Sequence, residues 1–188
     1  VKNDLRWEHD NATPYRPQTN GVAERAVRRV KEGIACALEQ SGFFYNIWDE
    51  AMQCYCFLRC IVDPIDEAGN TAFDLRLNQP FRGPENPYGA KVMYLPSSPA
   101  DREKLHELGS NTLDGMYVGS AQLAGGAWTG DLLVVDAMQL ASARRESDIH
   151  VRWIRAQEVK PCFGEGKYEF PLADGILDQP GTDRNDPF

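Results

Sequence analysis

From residue 20 to about residue 40 the apolar side chains recur at steps of three and four: Val22, Ala23, Ala26, Val27, Val30, Ile34, Ala37 and Leu38. That period predicts a helix with one apolar stripe. Glu24, Arg25, Arg28, Lys31 and Glu32 fall on the opposite side. Asn20 or Thr19 is the expected cap, and Ser41-Gly42 the expected stop. A second helix is predicted from Ile47 to about Val62, where apolar residues occupy most sides, so burial on more than one face is expected. Pro64 ends it, and a short helical turn over Ala72 to Leu77 follows, capped by Thr71. Before the first helix, residues 4–9 alternate in polarity and read as a strand, followed by a loop carrying Pro14 and Pro17.

The pattern changes at Pro80. Pro80, Gly83, Pro84, Pro87 and Gly89 crowd ten residues and mark a linker, 81–89. Short β-like runs follow at Ala90 to Leu95, Gly115 to Gly119, Asp131 to Asp136 and Ile149 to Ile154, separated by turn signals such as Gly125-Gly126 and Thr129-Gly130. Their spacing predicts a small β-rich barrel or sandwich over 90–163. Residues 164–188 are acidic and rich in Pro and Gly, so a loose tail is expected there. Trp128 and Trp153 are expected in the core, since buried aromatics outnumber exposed stacking platforms.

Of the 188 residues, 42% are hydrophobic and 26% charged, enough apolar material for a packed core. Basic residues number 20 and acidic residues 28, a net charge of -8, so the whole chain is not a basic nucleic-acid binder. The balance is uneven: residues 1–40 carry +1 and the remainder -9, with five cations and one acid between Arg16 and Lys31. No aliphatic run approaches the roughly 20 residues that cross a bilayer, so no membrane partner is expected. No charged-then-apolar leader opens the chain, so secretion is not expected, and Val1 in place of Met fits a piece of a longer protein.

Cys54, Cys56 and Cys60 lie close in sequence, but Cys54 and Cys56 point about 200° apart on a helix, and the three histidines are scattered, so free thiols are expected rather than a zinc site. Arg144, Arg145, Arg152 and Arg155 have acidic sequence neighbours in Asp136, Glu146, Asp148 and Glu158, which predicts ordinary surface pairing. Glu24, Arg28 and Lys31 share one face of the first helix over about 10 Å. Two readings of them stand: an i,i+4 ion pair, or a metal-binding carboxylate beside cations that track phosphate.

The segment from His9 to Lys31, HDNATPYRPQTNGVAERAVRRVK, resembles the final catalytic stretch of retroviral-type integrases, most closely those of copia-type long-terminal-repeat retrotransposons. The shared pattern is Pro14-Tyr15-x-Pro17-Gln18-x-Asn20-Gly21-Val22-Ala23-Glu24-Arg25. Weaker similarity continues through Trp48-Asp49-Glu50-Ala51, Thr71 to Asp74, Pro87 to Ala90, Gly115 to Gly119 and Gly130 to Asp136. The resemblance covers roughly residues 5 to 172.

It implies an α+β chain: the carboxy-terminal half of a ribonuclease-H-like core over 1–80, then an SH3-like or barrel-like β-rich domain. It also implies a polynucleotidyl transferase that joins element DNA ends to target DNA, with two aspartates and a glutamate holding Mg2+ or Mn2+. Glu24 matches that glutamate, as the catalytic and metal-binding carboxylate. Tyr15, Asn20, Arg28 and Lys31 fall where the family touches DNA. A homo-oligomer, and a nuclear or virus-like-particle location, are implied in the same way.

One departure limits the activity. The family's second aspartate lies some 35 residues before the glutamate, whereas Asp4 and Asp10 precede Glu24 by 20 and 14. Both aspartates are therefore expected in a missing upstream polyprotein segment, and this chain alone is expected to be inactive. Half a core also leaves an apolar helical face open, which predicts self-association. The alternatives are a non-enzymatic protein- or DNA-binding module derived from a retroelement, or a decayed reading frame.

Overall fold

The computed structural model describes residues 20–105 and 107–179. The strand expected at residues 4–9, and Tyr15, lie outside the described residues.

The first helix, α1 (Gly21–Ser41), runs as its period predicts. Gly42 closes it in the left-handed conformation, φ 74°, with its N–H donating to the Leu38 carbonyl at 2.9 Å. Only the second half of the stripe is covered: Ile34 and Leu38 are buried, whereas Val22 is 76% exposed and Val27 55%. Helix α2 (Trp48–Val62) crosses α1, and the Tyr55 ring lies flush on Gly33, where any side chain would meet it. As its all-round apolar pattern predicts, α2 serves two clusters. Ala51 and Cys54 enter the main core, while Phe57 and Ile61 join Phe73 in a second one. Helix α3 (Ala72–Leu77) starts with a reciprocal capping box: the Asp74 amide donates to Thr71 Oγ1 at 3.2 Å, and the Thr71 amide to Asp74 Oδ2 at 2.9 Å. Its Phe73 meets Phe57 and Phe81 edge-to-face, and Phe81 contacts Trp128 at 5.2 Å between ring centres.

Five strands form one antiparallel sheet: β1 (Lys91–Tyr94), β2 (Leu113–Gln122), β3 (Trp128–Asp136), β4 (Val151–Arg155) and β5 (Val159–Pro161). The spatial order is β4-β3-β2-β1-β5. Helix α4 (Pro99–Arg102) lies between β1 and β2, and α5 (Ala137–Ser142) follows β3. In a flat sheet β4 and β5 would stand about 19 Å apart, four strand spacings. Yet a single 3-10 turn, Ala156–Glu158, joins them and spans roughly 8 Å. The sheet is therefore strongly curled. Register shifts in β2 between Tyr117 and Gly119, and between Ser120 and Gln122, fall where the longest strand must bend.

β2 is buried at every position from Gly115 to Ala121, without the alternation of a half-exposed strand. α2 packs against it on one side while the curled sheet closes over the other. The architecture is α+β.

The helical and β-rich stretches share one core: Ile34, Leu38 and Phe43 sit in the same cluster as Val92, Tyr94, Tyr117, Leu132 and Ile154. The 81–89 stretch, read from sequence as a linker, is built into that junction. Asn86 and Tyr88 are buried, the Phe43 and Tyr88 rings lie 5.4 Å apart, and the Gly89 amide donates to the Tyr117 carbonyl at 2.7 Å. Gly89, at φ 78°, also brings its backbone against Ser41 where a Cβ would collide.

Up to residue 179 the acidic stretch likewise differs from the loose tail expected over 164–188, the rest of which lies outside the described residues. A two-residue hairpin, β6 (Phe163–Gly164) with β7 (Lys167–Tyr168), leads into a segment that packs back on the helices. Leu172 is buried, and its backbone lies on Gly42. Gln179 donates to the Gly42 carbonyl at 2.7 Å and accepts from the Phe44 amide at 3.2 Å. One apolar anchor and one two-way amide outweigh the segment's charge, a balance that composition does not register. Among the described residues no helix is long and apolar enough to cross a membrane.

Candidate functional site at the start of the first helix

The amino-terminal half of α1 stands clear of the core, with residues 22–29 all exposed. Asn20 occupies the N-cap position, but its side chain makes no capping hydrogen bond. Glu24 lies in the first turn, where the aligned peptide dipoles favour a carboxylate. One turn and two turns on, Arg28 and Lys31 follow on the same face. Together with Ala23, Val27 and Glu32, these four residues line an open groove of about 390 Å3.

Four of the five sequence-predicted site residues, Asn20, Glu24, Arg28 and Lys31, thus share one surface; the fifth, Tyr15, is outside the described residues. Among the described residues, Glu24 forms no ion pair, so the i,i+4 pairing with Arg28 is not made. Glu32 is the added member of the groove. Its signal in the sequence is its spacing, eight residues from Glu24 and four from Arg28 on one helical face.

The site offers a carboxylate at a positive helix end, an apolar floor and two cations, Arg28 and Lys31, that form no ion pair among the described residues. That set suits a phosphate-bearing polymer with a hard cation held near its path. A metal needs more donors than the described residues bring together: among them no group of three or more His, Cys, Asp or Glu side chains is placed to hold an ion. Glu24 alone supplies one oxygen-bearing ligand, too few for an Mg2+ or Mn2+ pair. The five cysteines are all free thiols, with Cys54 buried and Cys36 and Cys60 exposed. Burial pushes the Cys54 thiol up to about 12, partly offset by a hydrogen bond with Tyr117, so it is not a nucleophile near neutral pH.

A second polar cluster lies at the far end of the sheet. Arg152 on β4 grips both oxygens of Asp101, Nε to Oδ2 at 3.1 Å and Nη2 to Oδ1 at 3.0 Å. Lys104 donates to Asp101 at 2.9 Å and lies 3.4 Å from Asp136. Asp136 accepts the Tyr94 hydroxyl at 2.6 Å and caps α5 through the Gln139 amide at 2.7 Å. The Arg152 hydrogen bonds, followed by those of Lys104 and Ser98, hold the Asp101 carboxyl well below the usual range against the opposing effect of burial. Burial, then Asp136, pushes the Tyr94 phenol well above its ordinary value. Neither group exchanges a proton near neutrality, so the cluster is a staple joining α4, β3 and β4.

Arg152 therefore pairs 51 residues away, with Asp101, rather than with the nearby acids expected from sequence. Arg155 meets Asp131 at 3.5 Å, while the backbone amides of Arg144 and Arg145 donate to Asp148. Trp128 is half-buried in the aromatic cluster, with Nε1 donating to the Asp131 carbonyl at 2.9 Å. Trp153 departs from the core expectation and is 63% exposed. On edge strand β4 the alternation turns Val151, Trp153 and Arg155 outward and Ile154 inward. Comparison of the chain with protein-family models, with curated proteins and with solved structures yields no match.

Proposed function

We propose that this chain is the carboxy-terminal part of a retrotransposon integrase of the copia type. In this reading α1 and α2 belong to the end of a ribonuclease-H-like core, and the curled sheet is an SH3-like barrel. The observation that carries the reading is the state of Glu24: an exposed carboxylate at a helix entrance, without an ion partner among the described residues, in a groove with Asn20, Arg28 and Lys31. A carboxylate whose role is a local ion bridge would be engaged; among the described residues this one is not, which supports a role that needs partners from elsewhere.

Two aspartates from an upstream segment would complete the ligand set for Mg2+ or Mn2+, which when bound would activate the attacking oxygen and stabilise the leaving one. The residues present here do the DNA work: Arg28 and Lys31 neutralise backbone phosphates, and Asn20 and Tyr15 orient the strand. The exposed Val22, outside that groove, marks the face that the rest of the core would cover, and the assembly acts as an oligomer on element ends and target DNA.

Fluorescence anisotropy with a labelled duplex tests the DNA part. Arg28→Glu combined with Lys31→Glu should weaken binding about tenfold or more and lower the salt slope by about two, as expected for two lost phosphate contacts. Binding that ignores this double reversal would sink the assignment. The purified chain should show no joining of DNA ends with Mg2+ or Mn2+; joining activity would refute the need for upstream aspartates.

A further inference from the structure

A second cavity, of about 330 Å3, opens on the side of the molecule formed by β1, β2 and the docked carboxy-terminal segment. Its size is that of a small ligand pocket. Met116, Pro171 and Leu177 give it an apolar lining. Around it stand three carboxylates, Asp114, Glu169 and Asp174, and one cation, Lys91. Lys91 Nζ lies 3.3 Å from Asp114 Oδ2 and 3.9 Å from Glu169 Oε2, so one amine is shared between two acids while Asp174 forms no ion pair among the described residues. The walls are preformed. The Lys91 amide donates to the Glu169 carbonyl at 2.8 Å, and the Ile176 and Leu177 amides both donate to the Pro171 carbonyl, at 2.8 and 3.0 Å.

An apolar lining with a rim of net charge -2 asks for a ligand with an aliphatic stem and a cationic tip. The stretch that supplies every lining residue, 41–188, carries a balance of -9, which favours a cationic partner over a nucleic acid. We propose that this cavity is a docking site for an arginine- or lysine-bearing segment of a basic partner protein. One long side chain lays its methylenes on Ile176 and Leu177 and brings its charge to Glu169 and Asp174. Lys91 then acts as an internal competitor, occupying acid capacity that the ligand would otherwise use. The site is independent of the groove on α1, and neither proposal requires the other.

The test is anisotropy of the full chain with a fluorescein-labelled octapeptide alternating Arg and Ala, against the same peptide with citrulline for Arg. The Arg peptide should bind at least tenfold more tightly than the citrulline peptide. Glu169→Gln combined with Asp174→Asn should weaken it tenfold or more with an unchanged melting temperature, and Glu67→Gln, remote from the cavity, should change nothing. Lys91→Met should tighten binding about threefold or more, a direction that general attraction to an acidic surface predicts far more weakly. Should the double variant not fold, Asp114→Asn, at a half-exposed side chain, carries the same expectation at smaller size. Equal affinity for the citrulline peptide, indifference to the carboxylate changes, or weaker binding by Lys91→Met would each overturn the proposal.

Discussion

Asp101 gathers donors from three places in the chain: Ser98 before it, Lys104 after it and Arg152 from β4. Its side chain is 10% exposed and that of Arg152 19%, so removing one charge leaves the other poorly solvated. Asp101→Asn should cost about 2–4 kcal/mol at pH 7. The pH dependence has a definite sign. The folded carboxyl titrates below its unfolded value, so its contribution is complete above about pH 4 and is lost as pH falls toward the folded value. Urea melts at pH 7, 4 and 2.5 should therefore show the two proteins converging in acid; a constant gap would contradict the assignment. None of this was legible from the neighbours of Arg152 in sequence. Its acids at Asp136, Asp148 and Glu158 are all closer along the chain, but strand order decides the pairing, and strand order is not a local property. The Thr71–Asp74 box, by contrast, was partly legible: Thr71 reads as a cap because both partners lie within four residues.

At the level of the element, α1 has two halves with the same periodicity and different surroundings. Leu38 is 3% exposed and Val27 55%. Leu38→Ala should cost about 2–5 kcal/mol, and Val27→Ser less than about 0.5 kcal/mol, both read from chemical denaturation. A Val27→Ser penalty as large as that of Leu38→Ala would mean that the stripe is already covered in the isolated chain. Periodicity reports that a stripe exists and says nothing about what lies opposite it, which is why the helix bounds followed from the sequence and the exposure of residues 22–29 did not. The same limit applies to Trp153: its residue type argues for a core, and its place on an edge strand turns it outward. The candidate site was legible for a different reason. Asn20, Glu24, Arg28 and Lys31 are spaced by one and two helical turns, and a helix converts spacing directly into a face.

In the molecule as a whole, the two regions expected to be loosely joined share one core, and the acidic end locks that joint. A chain ending at Phe170 loses the buried Leu172, the backbone contact on Gly42 and both Gln179 hydrogen bonds. It should be less stable by about 3–5 kcal/mol, with the Ser41–Phe44 turn the first site of proteolytic cutting. Melting at the temperature of the full chain would show the segment to be a passenger. Charge counting misjudged this region because six acids say how it meets water, whereas one leucine and one glutamine say where it rests.

The curl of the sheet has a consequence for how the molecule comes into being. β5 completes it by setting Pro161 beside Val92, a partner 69 positions earlier. The β1–β5 pairing therefore cannot form until residue 161 has left the ribosome, and Gln179 arrives later still. Until then the flank of β1 that β5 will cover is open to any passing strand, so a nascent chain that has made β1 but not β5 is at its most exposed to mispairing.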